Sequence, residues 1–245
     1  MLNDLKVYVG YDAREDEAWE VCRHSIQIRS PSTQVCAIRQ NQVRDLGLYN
    51  RAEDSNASTD FSLTRFLAPY LAAHDGWTIF ADCDFVFTAD ITNCLDGLDA
   101  QKAVHVVKHI YEPHYQNKMD GKPQHAYPRK NWSSFMIFNG SHPTTKRLTP
   151  EYVNNASPAD LHRFAWTNDE AEIGSLDVKW NFLVGEYPKP SQLPYAIHFT
   201  NGGPWFSEWQ NVDYADIWKS ERDSYKACKA RGLAKDPDEM RNLAT

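Results

Sequence analysis

Residues 77–84 read Trp77-Thr78-Ile79-Phe80-Ala81-Asp82-Cys83-Asp84. Gly76 opens the segment, an apolar β-rich run follows, and two carboxylates close it. The pattern predicts a buried strand with an acidic end. If the strand runs on through the acids, its period of two puts Asp82 and Asp84 on one face. Carboxylates that close repel each other unless a cation lies between or beside them. Hard divalent ions take oxygen ligands, and Mg²⁺ or Mn²⁺ bridges a few carboxylates to substrate phosphates. An isolated Asp-x-Asp also arises in surface turns. The apolar run in front of it is what favours a site.

Working outward, Leu5–Tyr11 predicts a first buried strand that stops at Asp12. From Glu15 to Ile28, Ala18, Val21, Cys22, Ser25 and Ile26 recur at helical spacing, which predicts a helix ending near Ser30-Pro31. Residues 34–39 predict a second strand. A polar stretch ends in Thr59 and Asp60, N-cap candidates for a helix over residues 61–74 that Pro69 should kink or break. Residues 103–109, 133–140 and 196–200 predict further strands. Helical pieces are expected at 145–154, at 158–164 and after Trp166. An amphipathic helix from Val212 to Ala230 should lead into a tail ending at Thr245. The alternation implies an α/β fold, one domain over residues 1–245 with a Rossmann-like, mostly parallel sheet flanked by helices. Ligands of such sheets bind outside the carboxyl ends of strands. Tyr11-Asp12 and Asp82-Cys83-Asp84 should therefore face one crevice.

The chain holds 33 acidic and 26 basic residues, a net charge of −7, with no block of Lys or Arg. That argues against nucleic-acid binding and leaves phosphate recognition to local basic residues. Aromatic residues make up 13%, which suits sugars and bases as well as a core. The cysteines at 22, 36, 83, 94 and 228 are odd in number and lack CxxC spacing, so reduced thiols in a cytoplasm are expected. The start of the chain does not read as a signal peptide, and residues 66–73 are far short of a bilayer span. A cytoplasmic protein without a transmembrane segment is the expectation.

Two further features bear on chemistry. His198 closes an apolar run and precedes Asn201-Gly202-Gly203-Pro204-Trp205, so it offers an imidazole ligand beside a glycine turn whose N–H groups suit phosphate oxygens. A hydrogen-bonded core histidine is the alternative. Arg65 is a positive charge on an otherwise apolar segment, suited to a diphosphate or a carboxylate; a snorkelling surface arginine is the alternative.

Taken in order, VYVGYDAREDEAWEVCRHSI, FSLTRFLAPYL, WTIFADCDFVF, HPTTKRLTPEYV, DVKWNFLVGEY and IHFTNGGPWF span Val7 to Phe206. The set resembles the glycogenin-like, family 8 type of glycosyltransferase with the GT-A fold. The resemblance implies transfer of a hexose from a UDP-sugar to an acceptor hydroxyl, with retention of configuration and with Mn²⁺ or Mg²⁺ as cofactor. It implies Asp82, Asp84 and His198 as metal ligands, with Asp82 also near the donor ribose. Val9, Tyr11 and Asp12 would hold the nucleobase together with Arg14. Arg65 would lie near the donor sugar and diphosphate, Asn139 and Asp169-Glu170 on the sugar and acceptor side, and Trp180-Asn181 along the same wall. Asp169 and Glu170 are also the candidates for a catalytic carboxylate; front-face substitution, in which the leaving phosphate takes the acceptor proton, needs none. Where the family carries a Lys before Pro-Trp, this chain has Gly203. Phosphate binding then leans on Gly202, Gly203, Arg65, Lys108 or a basic residue within Lys118–Lys130. The segment Tyr111–Trp132 is the expected acceptor contact. Two rival readings are a haloacid-dehalogenase-type phosphatase, whose Asp-x-Asp-x-Val start matches Asp82–Val86, and a non-catalytic nucleotide-sugar-binding domain.

Overall fold

A computed structural model describes residues 5–52, 57–110 and 128–233. The chain opens with β1 (Lys6–Gly10), α1 (Asp16–Arg29), β2 (Gln34–Ile38) and α2 (Gln40–Asp45). The middle third comprises α3 (Ala68–Leu71), β3 (Trp77–Ala81), β4 (Phe85–Phe87), β5 (Val104–Val106) and β6 (Phe135–Asn139). Then come α4 (Pro150–Asn155), α5 (Pro158–His162), β7 (Ile173–Ser175), β8 (Phe182–Leu183), β9 (Ala196–His198) and α6 (Ala215–Ala230).

Six strands form the main sheet in the order β2-β1-β3-β6-β5-β7. β1 pairs in parallel with β2 and β3, and β5 with β7, while β6 runs antiparallel to both β3 and β5. The sheet is thus mostly parallel, with β6 alone reversed. The central strands are nearly continuous apolar runs because both faces are covered, as the burial of Val7, Val9, Ile79 and Phe80 shows. In β1 and β3, Val9 lies opposite Ala81, so the residues that follow each strand emerge at one edge.

A second sheet, β4-β9-β8, stands beside that edge. It belongs to a smaller apolar cluster in which Val21 of α1, Val86, Ile197, Phe199 and Trp218 of α6 are all buried. Each such side chain contributes about 1.5–3 kcal/mol by leaving water. Packing between α1 and α6 thereby fixes β9 against β4, and with it the position of His198.

Two local expectations need correction. The strand predicted over residues 77–84 ends at Ala81, and Asp82-Cys83-Asp84 form a turn into β4, so their convergence comes from the turn and not from a strand pleat. The helix predicted over residues 61–74 is a 3-10 turn, Thr64–Leu67, followed by the four-residue α3 with Pro69 in its first turn. Pro69 does break the pattern, and it does so by starting a new helix where its missing N–H costs nothing. The segment at 111–127, most of the expected acceptor contact, lies outside the described residues, as does the tail at 234–245. Among the described residues no helix is long and apolar enough to cross a membrane.

Candidate functional site

The site starts from a register. In the β4–β9 pair Phe85 lies opposite His198, and the Phe199 amide donates to the Asp84 carbonyl at 2.9 Å. The Phe85 and His198 rings stack at 4.2 Å. Ligand atoms of Asp82, Asp84 and His198 consequently lie within 4.8 Å of one another. His198 Nε2 is 3.2 Å from Asp84 Oδ2, and its Nδ1 is 2.8 Å from Asn181 Oδ1. Two carboxylates and one imidazole form an oxygen-rich donor set that fits Mg²⁺ or Mn²⁺.

Arg65 reaches the cluster because Gly10 has no side chain. A Cβ on Gly10 would come within 2.3 Å of the Phe61 ring, so glycine lets the segment carrying Phe61 and Arg65 press against the end of β1. The guanidinium is 5% exposed and lies over the Phe61 and Phe80 rings at 5.3 and 5.2 Å. It pairs with Asp82 Oδ1 at 2.8 Å and donates to the Ser133 carbonyl at 2.9 Å. The sequence offered a diphosphate or a carboxylate as its partner, and the fold supplies the carboxylate.

Glu15, which the sequence reading passed over, lines the same cavity of about 110 Å³. It is buried, and the Cys83 thiol donates to its Oε2 at 3.2 Å. Burial, reinforced by the Asp84 charge, pushes its carboxyl up to about 8. Burial also raises the Cys83 thiol well above its ordinary value, with Glu15 adding to it, so Cys83 remains a donor. Asp12 is buried at the same edge. Burial works to raise its carboxyl, but hydrogen bonds from the Arg14 side chain and from the Arg14 and Asp60 amides outweigh it and hold it below the ordinary carboxylate value.

Tyr11 and Arg14 open onto a neighbouring groove of about 1240 Å³. Arg39, at the end of β2, lays its guanidinium over the Tyr11 ring at 3.4 Å and forms part of the groove wall. Val9 is different. Its side chain is fully buried and its backbone pairs with Ala37 and Ala81, so it supports the edge without facing the groove.

Several expected residues lie elsewhere. Asn139 is opposite Trp77 at the far end of the sheet, where its Nδ2 donates to the Ala100 and Lys102 carbonyls. It closes a loop and takes no part in the cavity. β6 runs antiparallel to β3, which sends its last residue away from the acidic turn. Asp169 is exposed and caps a 3-10 turn through the Ala171 amide. Glu170 pairs with Lys108 at 2.8 Å and with Arg129, and although burial opposes it these cations hold its carboxyl below the ordinary value. Neither acid lines the cavity, and Lys108 is committed to Glu170. The Gly202 amide donates back to the Phe199 carbonyl, so it is spent within its own turn. A Cβ on Gly203 would fall 1.8 Å from the Trp205 ring, which assigns that glycine to indole packing.

The cavity walls also include Ser133, Ser134, Asn131, His162 and Thr200. His162 Nδ1 is 2.8 Å from Ser133 Oγ. None of these residues announces itself in sequence, because their roles come from loops that meet only after folding. Glu15 carried a usable signal: it lies three residues beyond Asp12, on the loop leaving the same strand end.

No family model matches the chain. It is 46% identical over 226 residues to Protein CDI of Arabidopsis thaliana, covering 90% of this chain and 87% of CDI. The chain belongs to the CDI family. Among solved structures, the CDI-family chain is similar to the bifunctional glycosyltransferase WbbM, with a TM-score of 0.65 and 15% identity over 96% of this chain and 52% of that one. It is similar to the glycosyltransferase GlyE of Streptococcus pneumoniae TIGR4, with a TM-score of 0.59 and 12% identity over 96% of this chain and 65% of that one. It is also similar to the galactosyltransferase LgtC in complex with donor and acceptor sugar analogs, with a TM-score of 0.58 and 10% identity over 97% of this chain and 99% of that one. The chain thus spans about half of WbbM and just under two thirds of GlyE. At these identities the likeness is one of fold, and the fold is GT-A.

Proposed function

We propose that this CDI-family chain is a metal-dependent glycosyltransferase that moves a hexose from a UDP-sugar to an acceptor hydroxyl, with retention of configuration. The observation that carries the reading is the Asp82, Asp84 and His198 cluster at the carboxyl edge of a GT-A sheet. LgtC, which shares the fold over nearly the whole of both chains, has been solved with donor and acceptor sugar analogs.

Asp82, Asp84 and His198 would hold Mn²⁺ or Mg²⁺, which when bound supplies positive charge for the departing diphosphate. Arg65 pairs with Asp82 and holds its carboxylate at the cavity. Tyr11 and Arg14 line the groove, where the nucleoside would lie, Asp12 holds Arg14 from below, and Arg39 adds a stacked guanidinium to the wall. Asp169 and Glu170 lie outside the cavity and Glu170 is ion-paired with Lys108 and Arg129, which weakens the case for a carboxylate nucleophile from that pair. The reading that accords with this arrangement is front-face substitution, with the acceptor proton passing to the leaving phosphate oxygen.

The test is calorimetric titration with UDP, with and without Mn²⁺, on the wild type and on Asp84→Asn. Manganese-dependent UDP binding that is lost in the variant is expected, after which a panel of UDP-sugars identifies the donor. Absence of UDP binding under every metal condition overturns the assignment.

A further inference from the structure

Behind His198 lies a buried polar chain that ends in a single permitted arrangement of protons. Asn181 is fully buried, Ser134 is 2% exposed and His198 is 1% exposed, so no bulk water supplies alternative partners. Ser134 Oγ donates to the Asn131 carbonyl at 2.7 Å. A hydroxyl has one proton, so towards Asn181, 2.9 Å away, Ser134 Oγ can only accept. The Asn131 carbonyl, 3.3 Å from the same amide, can likewise only accept. Both neighbours therefore require the Asn181 NH₂ group on their side. Flipping the amide would set its oxygen against a carbonyl and against a hydroxyl that has no proton to give. The Asn181 oxygen must then face His198 Nδ1 at 2.8 Å, and an oxygen with no hydrogen requires an N–H opposite it.

From this we infer that Asn181 is a positioning residue that fixes His198 as the Nδ1–H tautomer, leaving the Nε2 lone pair directed at Asp84 and the cavity. The inference rests on the metal-site reading for its purpose, but the proton arrangement follows from the hydrogen bonds alone. The Nε2 lone pair and Asp84 Oδ2 stand 3.2 Å apart. In the neutral ring both atoms are acceptors, and a divalent cation is the partner that satisfies both. Stacking on Phe85 at 4.2 Å fixes the plane of the ring, and Asn181 fixes which nitrogen carries hydrogen. Together they remove the two freedoms that would otherwise have to be lost when a metal binds.

The chain of bonds continues outward. Asn131 Nδ2 donates to Thr200 Oγ1 at 3.1 Å, and the Asp82 amide donates to the Ser134 carbonyl at 2.9 Å. Asn131 itself adopts a left-handed conformation, φ 61°, which brings its carbonyl to the point where Ser134 Oγ and Asn181 meet. Residues on three separate segments, at 131–134, 181 and 198–200, are thereby tied to one imidazole tautomer. In sequence Asn181 is a polar residue inside the apolar run Trp180-Asn181-Phe182-Leu183, which the family resemblance places on the sugar and acceptor wall and not behind His198.

The experiment is nitrogen-detected NMR on histidine-labelled, metal-free wild-type protein, at a pH where the His198 ring is neutral. The expected result is a protonated, pyrrole-like Nδ1 and an unprotonated, pyridine-like Nε2. A protonated Nε2 overturns the inference without reference to any metal. The second arm measures Mn²⁺ affinity by calorimetry. Asn181→Leu, which removes both the acceptor and the donors, should yield mixed tautomers and an Mn²⁺ dissociation constant raised about 10–100-fold. Asn181→Asp, buried as a neutral acid whose hydroxyl can donate towards Ser134 Oγ or the Asn131 carbonyl while its carbonyl oxygen faces Nδ1, should preserve the tautomer and hold Mn²⁺ affinity within a few fold of wild type. A folded Asn181→Leu protein with unchanged tautomer and unchanged Mn²⁺ affinity also overturns the inference. Should Asn181→Leu fail to fold, the wild-type spectrum and Asn181→Asp still decide the matter. No Mn²⁺ binding by the wild type together with the expected tautomer would sink the metal reading and leave the proton assignment standing.

Discussion

Glu15→Gln should stabilise the metal-free protein, and by an amount that grows with pH. In the fold, burial and the Asp84 charge raise the Glu15 carboxyl from 4.5 to about 8. Between those values the folded state holds a proton that the unfolded chain has released, so stability falls as pH rises. The contribution is fully present below pH 4.5 and lost as pH passes through about 8. Relative to a side chain that stays neutral, the cost is less than ~1 kcal/mol near pH 5, ~4 kcal/mol near pH 8 and at most ~5 kcal/mol above it. Glutamine keeps the shape and an oxygen that can accept from the Cys83 thiol, so its own packing effects should be independent of pH. Urea unfolding of both proteins across this range isolates Glu15 together with the acids it interacts with, because titrations away from that cluster are common to the two and cancel in the difference. A gap that stays flat from pH 5 to pH 8 would refute the claim that Glu15 sits protonated in the cavity. Saturating Mn²⁺ should shrink the gap at pH 8, since a cation beside Asp84 lowers the cost of ionising Glu15. A gap indifferent to Mn²⁺ would place the ion elsewhere.

Arg65→Met removes the buried partner of Asp82 and leaves the Ser133 carbonyl without its donor. Urea unfolding should show a loss of about 3–5 kcal/mol, with part of it restored in Arg65→Lys, and a loss below 1 kcal/mol would contradict the buried pair. His109 should act on the acid side with the opposite sign: burial, reinforced by His198, lowers its imidazole from 6.5 to about 3. The folded state then binds fewer protons than the unfolded chain in that interval, and stability is lost as pH falls from 6.5 towards about 3. His109→Asn, which offers Tyr187 a hydrogen-bonding atom in place of Nδ1, should flatten that acid limb, and an unchanged limb would assign it to other groups.

Much of the fold is legible because strands and helices differ in period. Alternation of apolar strand runs with the Glu15–Ile28 helix pattern is enough to predict parallel pairing of β1, β2 and β3, and hence a common edge for Tyr11-Asp12 and Asp82-Cys83-Asp84. The short second sheet is not legible in the same way. β4 and β8 are three and two residues long, too brief for a period to show, yet the β4–β9 register is what carries His198 to Asp84. His198 was placed in the metal site by resemblance to a family, and the fold supplies the physical cause. Asn139 failed for the complementary reason. A strand's sequence does not reveal its direction, and the reversal of β6 moves Asn139 to the opposite end of the sheet. The ion pairing of Glu170 is not legible because its partners, Lys108 and Arg129, are distant in sequence and meet it only in the folded chain.

The charges at the carboxyl edge also explain why a fixed and an exchangeable cation would be used together. Asp12, Glu15, Asp82 and Asp84 gather at one edge, with Asp12 and Glu15 buried. Buried carboxylates without compensation are costly. Arg14 answers Asp12 and Arg65 answers Asp82. The cavity with a neutral His198 still presents Asp84 and, once ionised, Glu15. A nucleoside diphosphate approaching that surface meets like charge and is repelled. Permanent arginines in greater number would cure the repulsion, but they would also hold the product. A divalent ion on Asp82, Asp84 and His198 supplies the missing charge and can leave with the diphosphate. Diphosphate binding should therefore depend on the cation, while Arg65 stays behind to keep Asp82 in place for the next one.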